Sequence, residues 1–300
     1  MTGITGSAPE ADGDTPEAYY LPGPDGAFTP TRATESPWSS DAQHGGPPTA
    51  LLAHVMRARQ GVGGMRVARM TVEFLGAIPR APLTAEVGVL RDGRRIRLLE
   101  GTLLAGGKPV ALARAWQIAT NGGAGSAGTG IPAAGLPSEA PPPLPAAQEQ
   151  RYFSNFRQWG YGESIEWRWV RGSYDTAGEA VVWGRSRIPL VAGTPMHPLE
   201  RVLVLADSAN GVSSALNPGE WLFVPPGVNV TLHRYPEGEW VYLAATSTLA
   251  ADGLGSTLGT LGDQSGPLGS VAQPLLVARQ GQRGNSVAQG AGHGGQSLGE

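Results

Sequence analysis

Apolar side chains recur along this chain in two periods that change by segment. Residues 47–60, PPTALLAHVMRARQ, place Leu51, Val55 and Ala58 at i, i+4 and i+7, with prolines only at the start and no breaker inside, which predicts a helix. Beyond it, residues 65–74, 83–91, 94–105 and 109–118 are runs of strand length. They are separated by residues 79–82, by Asp92-Gly93 and by Gly106-Gly107, so a meander of four long strands follows the helix, with Asp92-Gly93 turning a hairpin. The plan repeats downstream: strands over 165–170 and 180–188, a helix over 198–209, then strands over 228–235, 240–249, 253–262 and 268–278. The last strands echo each other, KPVALAR from Lys108 against GPLGSVAQ from Gly266. The shared order of elements points to an internal duplication. Long strands with one unusually apolar helix per half imply a curved antiparallel sheet wrapped around a buried helix.

Glycine and proline sharpen the boundaries. The 45 glycines and 26 prolines concentrate in 1–16, 121–147 and 280–300, where few large apolar side chains offset an ordering cost of about 1–2 kcal/mol per residue. Disordered tails over 1–16 and 280–300 and a Gly/Ala/Pro-rich linker over 121–150 are expected, leaving domains over 17–120 and 151–279. The absence of cysteine excludes disulfides, a thiol nucleophile and thiolate metal sites. With 22 basic against 25 acidic residues, no global field recruits nucleic acid or an anionic membrane. Apolar runs such as 202–206 are far shorter than the ~20 residues of a membrane span, and the polar N-terminus has no signal-peptide core, so the expected location is cytoplasmic.

Four constellations could carry chemistry. Asp207 follows the apolar run VLVLA, where a carboxylate at a helix C-terminus opposes the dipole by about 0.3–1 kcal/mol and shares a face with Leu203. Such discomfort raises proton affinity and suits a general base; the same residue is also a plain turn former beside Asn210-Gly211. His44-Gly45-Gly46 opens the first helix, where free amides favour an oxyanion and His44 could cap, bind or catalyse; with no HxxxH spacing it makes no metal site. Gln273 shares a strand face with Val271 and Leu275, so its amide either orients a water or marks an edge strand beside Pro274. The hairpin residues Arg91, Arg94, Arg95 and Arg97, with Arg66 and Arg69, either fork onto phosphates or form a solvated face. Trp159, Trp167, Trp169 and Trp183 suit a core or inter-domain seam better than a base-stacking platform. No Walker loop, GxSxG elbow or dinucleotide fingerprint is present.

The stretch WSSDAQHGGPPTALL from Trp38, LADSANGVSS from Leu205, LHRYPEGEW from Leu232 and GPLGSVAQ ending at Gln273 together resemble the thioesterase-like superfamily, acyl-CoA thioesterase II type double-hotdog proteins, over 17–279. The resemblance implies an α+β double hotdog, two tandem antiparallel sheets each wrapped around a long helix. It implies hydrolysis of acyl-CoA or acyl-carrier thioesters to free acid and thiol in fatty acid metabolism, without cofactor or metal, by a monomer or homo-oligomer. In that type an Asp, a Gln and a Thr or Ser hold the attacking water, and Asp207 and Gln273 match the first two. Where relatives open a strand with Asn-x-Asp-Leu-Thr, this chain has Pro225-Pro-Gly-Val-Asn229, leaving Asn229 or Thr231 as the substitute. His44, Gly45, Gly46 and Thr231 then fall on the substrate side, the glycine amides at the thioester oxygen and the arginines at the CoA phosphates. A second expectation, of a different class, is a non-hydrolytic acyl-thioester binder or secondary-metabolite tailoring protein on the same fold. A hydratase would need His44 paired with Asp207.

Overall fold

A computed structural model describes residues 16–58, 64–120, 140–151 and 158–280. The expected tails, apart from Pro16 and Gln280, and residues 121–139 of the expected linker lie outside the described residues.

The helix at the start of the first half, α1 (Gly46–Ala58), begins with Pro47 and Pro48 in its first turn, where their missing N–H groups leave no bond unmade. It buries every residue from Gly46 to Ala53 and also Met56, so it is a core element rather than a surface helix. Its strands are β3 (Met65–Phe74), β4 (Leu83–Arg91), β5 (Ile96–Ala105) and β6 (Lys108–Ala119), preceded by two short ones, β1 (Tyr20–Pro22) and β2 (Phe28–Pro30). Downstream come a short helix α2 (Gly160–Ser164), β7 (Ile165–Ser173), β8 (Thr176–Ser186), α3 (Pro198–Ala206), α4 (Ala209–Val212), β9 (Trp221–Val224), β10 (Gly227–Leu232), β11 (Val241–Leu249), β12 (Leu254–Asp263) and β13 (Gly266–Arg279).

The expected pair of separate sheets is a single one. Thirteen strands form one sheet in the order β1-β2-β4-β5-β6-β3-β10-β13-β12-β11-β8-β7, with β9 pairing the end of β13. Read outward from the β3–β10 joint and leaving aside β9, each half presents the first strand after its helix, then the fourth, third and second, then the two strands that precede the helix. The joint runs antiparallel from Gly227 opposite Glu73 to Thr231 opposite Arg69. Backbone amides on both strands are thereby satisfied by the other half, which removes two sheet edges at once.

Two further expectations are corrected. The hairpin at Asp92-Gly93 is a four-residue connection, 92–95, in which neither residue adopts a left-handed φ. The helix expected over 198–209 stops at Ala206, where Ser208 donates its amide back to the Leu205 carbonyl at 2.9 Å, and the chain restarts as α4. The second helix is therefore short. The tryptophans fill the core: Trp159, Trp167 and Trp169 surround Tyr174 edge-on at 6.1, 6.4 and 5.0 Å, and Trp183 is fully buried against Tyr242.

Helices α1 and α3 pack on each other in opposite directions. Gly46 at the start of α1 lies against the Val204 carbonyl near the end of α3. At the other end, His54 and Arg57 reach Glu200 in the first turn of α3, at 2.9 and 2.7 Å. His197 caps α3 reciprocally: its Nδ1 accepts from the Leu199 amide while Glu200 accepts from the His197 amide. This antiparallel crossing brings the C-terminal end of α3 to the N-terminal end of α1.

Candidate active site

Asp207 stands at that junction. Its carboxylate follows the last turn of α3 and faces the first turn of α1, and two donors hold it: Gln273 Nε2 gives 2.9 Å to Oδ1, and the Gly45 amide donates as well. Gln273 projects inward from β13 with Val271 and Leu275, as alternation requires. Its Nε2 also donates to the Asp207 carbonyl at 3.2 Å, and its Oε1 accepts the Asn210 amide at 3.1 Å. Both amide hydrogens are thus engaged with Asp207 itself, so Gln273 fixes the carboxylate, and only an Oε1 lone pair remains for a water.

Burial dominates the electrostatics. Desolvation pushes the Asp207 carboxyl from its ordinary 3.8 up to about 7, against the lowering effect of the Gln273 and Gly45 hydrogen bonds. Desolvation pushes His44 down to about 3, so its imidazole is neutral across the working range. His44 Nδ1 accepts the Gly46 amide at 3.1 Å and lies 3.4 Å from Asp207 Oδ2, which puts the ring proton on Nε2. The helix-capping role of His44 is therefore present, together with contact to the acid.

The two glycines have separate steric reasons. A Cβ on Gly45 would lie 2.6 Å from both Asp207 Oδ2 and the Phe74 ring, and one on Gly46 would overlap the Val204 carbonyl oxygen. They permit helix and carboxylate to meet. Their amides are engaged by Asp207 and His44, so the expectation that these N–H groups wait for a thioester oxygen is corrected.

Two other expected residues do not reach the site. Asn229 lies opposite Ala272 and Thr71, and Thr231 opposite the exposed Ser270 and Arg69, all on the outer face of the sheet. Val228, Val230 and Leu232 point inward instead, because apolar side chains claim the core face of β10. Asn229 there accepts from the Thr71 hydroxyl at 3.2 Å. β10 therefore brings no third polar group to the core face; Pro225-Pro226, between β9 and β10, stands at the break in pairing along β13 beside Gln273.

Asp207 and His44 open onto a cavity of about 440 Å³ whose walls are largely apolar: Trp38, Phe74, Ile78, Phe223, Pro226 and Leu276. Trp38 meets Phe223 edge-on at 5.2 Å. The cavity also touches Asn210, whose Nδ2 donates to the Phe223 carbonyl. The arginine hairpin lies elsewhere. Arg91, Arg94 and Arg95 border Ile118 and Ala119, the end of β6 that pairs with Met65 and Arg66, whereas the cavity touches Phe74 at the other end of β3, about 25 Å along the strand. Among the described residues, no cluster of three or more His, Asp or Glu is placed to hold a metal ion, and no helix is long and apolar enough to cross a membrane.

One contributor carried no signal in the sequence. Tyr161, in the five-residue helix α2, stacks on His44 with ring centroids 3.7 Å apart and planes 6° from parallel. A single helical turn shows no period that pattern reading can detect.

Residues 34–118 match the model of the acyl-CoA thioesterase N-terminal domain, and residues 137–277 that of the acyl-CoA thioesterase C-terminal domain. No curated protein sequence matches the chain. Among solved structures, a tesB protein of Mycobacterium avium subsp. paratuberculosis superposes with a TM-score of 0.60 at 15% identity, covering 84% of this chain and 93% of that one. Acyl-CoA thioesterase II TesB2 of Mycobacterium marinum gives 0.60 at 18% identity, over 80% and 91%. A conserved hot dog fold protein of Alicyclobacillus acidocaldarius gives 0.63 at 17% identity, over 84% and 92%. At these identities the likeness speaks to the fold. The two domain matches, in order and together spanning most of the length, carry the assignment further: the chain belongs to the acyl-CoA thioesterase family.

Proposed function

We propose that this protein hydrolyses acyl-CoA thioesters to free acid and CoA, with Asp207 as the general base. The carrying observation is a buried carboxyl held near neutrality, fixed by Gln273 and opening onto an apolar cavity. Ionised Asp207 takes a proton from water as the water oxygen bonds to the thioester carbon. The carbonyl oxygen gains charge, the C–S bond then breaks, and Asp207 returns the proton to the leaving thiolate. No covalent acyl-enzyme is needed. The apolar walls suit the acyl group, and Gln273 acts by orienting the carboxylate.

The topology supports a double-hotdog layout within the continuous sheet, each six-strand half curved about its own helix, with the halves divided as 17–120 and 151–279. The outward placement of Asn229 and Thr231 favours a second reading, a non-hydrolytic acyl-thioester binder that has lost the third polar group. Thiol release from short-, medium- and long-chain acyl-CoAs separates the two. Turnover of at least one class, with an acid limb near pH 7, is expected. Thermal stabilisation by acyl-CoA without thiol release would replace hydrolysis by binding.

A further inference from the structure

We propose that Tyr161 is a positioning residue of this site: stacked on His44, it aims the imidazole Nε2–H into the cavity as the donor to the thioester carbonyl oxygen. This rests on the thioesterase reading above. The donors that might otherwise meet that oxygen are closed. The His44 amide donates to the Thr34 carbonyl, the Gly45 amide to Asp207, the Gly46 amide to His44 Nδ1, and the Thr49 amide to the Gly45 carbonyl. Pro47 and Pro48 have none. His44 lines the cavity with Nδ1 engaged, which leaves its Nε2–H facing the space where substrate would lie.

Tyr161 cannot turn away from that ring. Its hydroxyl donates to the Val204 carbonyl at 2.8 Å and lies 2.7 Å from Ser208 Oγ, beside the base. Its backbone is tied to Glu35: the Tyr161 amide donates to the Glu35 carbonyl and the Gly160 amide to the Glu35 carboxylate at 3.0 Å. A Cβ on Gly160 would overlap the Arg32 carbonyl, so α2 is seated directly on the 32–35 turn. Arg32 and Glu163 pair across the same contact. The plane of His44 is therefore set by a wedge anchored on both sides.

The arrangement couples the two ends of the reaction. When Asp207 takes the proton of the attacking water, its Oδ2 faces His44 Nδ1 at 3.4 Å. Protonation removes the repulsion between that oxygen and the Nδ1 lone pair, while the Gly46 hydrogen bond accepted at Nδ1 strengthens donation from Nε2–H as charge grows on the carbonyl oxygen.

The test uses the full chain, with kcat and KM measured separately against pH. Tyr161→Leu removes the stack and should lower kcat about 100-fold, with KM changed less than about threefold and the acid limb left near pH 7. Tyr161→Phe keeps the stack and should restore kcat to within about fivefold of wild type. In a His44→Phe background, which already lacks the donor, Tyr161→Leu should add no further loss. Equal losses in both backgrounds, or a fall in stability with kcat unchanged in the folded protein, would overturn the proposal. Nitrogen-15 NMR of labelled histidine gives a readout independent of turnover: wild type should hold His44 as the Nε2-protonated tautomer, and Tyr161→Leu should release it. An Nδ1-protonated His44 overturns the positioning role even if acyl-CoA is hydrolysed. The expected spectrum without thiol release from any acyl-CoA overturns the thioesterase reading, and the proposed donor with it, while leaving the stack in place.

Discussion

Replacing Asp207 by asparagine separates the cost of the acid to the fold from its use in chemistry, because the two respond to pH with opposite sign. Burial raises the folded-state proton affinity from an ordinary 3.8 to about 7. Between those values the folded chain binds the proton that the unfolded chain has lost, so wild-type stability falls as pH rises, by about 1.4 kcal/mol per unit, or about 4 kcal/mol in all. Below pH 3.8 both states are protonated and above about 7 both are ionised, so the change is confined to that window. Asparagine does not titrate. It can accept from Gln273 or from the Gly45 amide but not from both, which leaves one buried donor poorly met at a cost of about 1–3 kcal/mol. The Asp207→Asn variant should therefore be less stable than wild type at pH 4 and more stable at pH 8, the difference between them moving by about 4 kcal/mol. Urea unfolding at a series of pH values measures it, and turnover should fall by about 10²–10⁴-fold at every pH. A stability difference flat from pH 4 to 8 would show that the carboxyl is not held near neutrality, and turnover retained within tenfold would remove it as the base.

Gln273→Glu places a second carboxylate 2.9 Å from Asp207, where like charges resist joint ionisation, so the acid limb of kcat/KM should move upward by a unit or more in a pH–rate profile. Gly45→Ala drives a Cβ into Asp207 Oδ2 and the Phe74 ring; a loss of about 1–3 kcal/mol in thermal or denaturant unfolding and at least a tenfold drop in turnover are expected. Glu200→Gln leaves Arg57 and His54 without their buried partner at the far end of the helix pair, and should cost about 3 kcal/mol at pH 7 with little change in kcat. Burial raises the Glu200 carboxyl, but hydrogen bonds from His54 and the His197 amide and the charges of His54 and Arg57 together hold it below 4.5. That stabilisation is present above pH 4.5 and lost as pH falls through the lower folded value, so the deficit of the variant should shrink in acid.

What the sequence exposed, and what it hid, follows from how far each signal reaches along the chain. The long strands and both helices were legible because nine or more residues repeat a period; β1 and β2, three residues each and both ending in proline, repeat nothing, yet they complete the six-strand half that mirrors β7 and β8. Alternation carried Gln273 to the correct face, and the same rule applied to β10 sends Asn229 outward, since Val228, Val230 and Leu232 hold the core side. Asp207 stands out in the sequence as an acid in an uncomfortable place, through the dipole of its own helix. In the fold it also meets the start of α1, an end that favours negative charge and whose Gly45 amide it accepts, so desolvation is what raises it. No pattern along the chain could report that difference. The carboxylate, the imidazole and the tyrosine that holds it lie 46 or more residues apart in sequence. They meet because two antiparallel helices cross and a single turn of helix wedges beneath them. Chemistry assembled from the ends of elements is invisible to periodicity within elements, which is why the proposed base can be named from the sequence while its setting cannot.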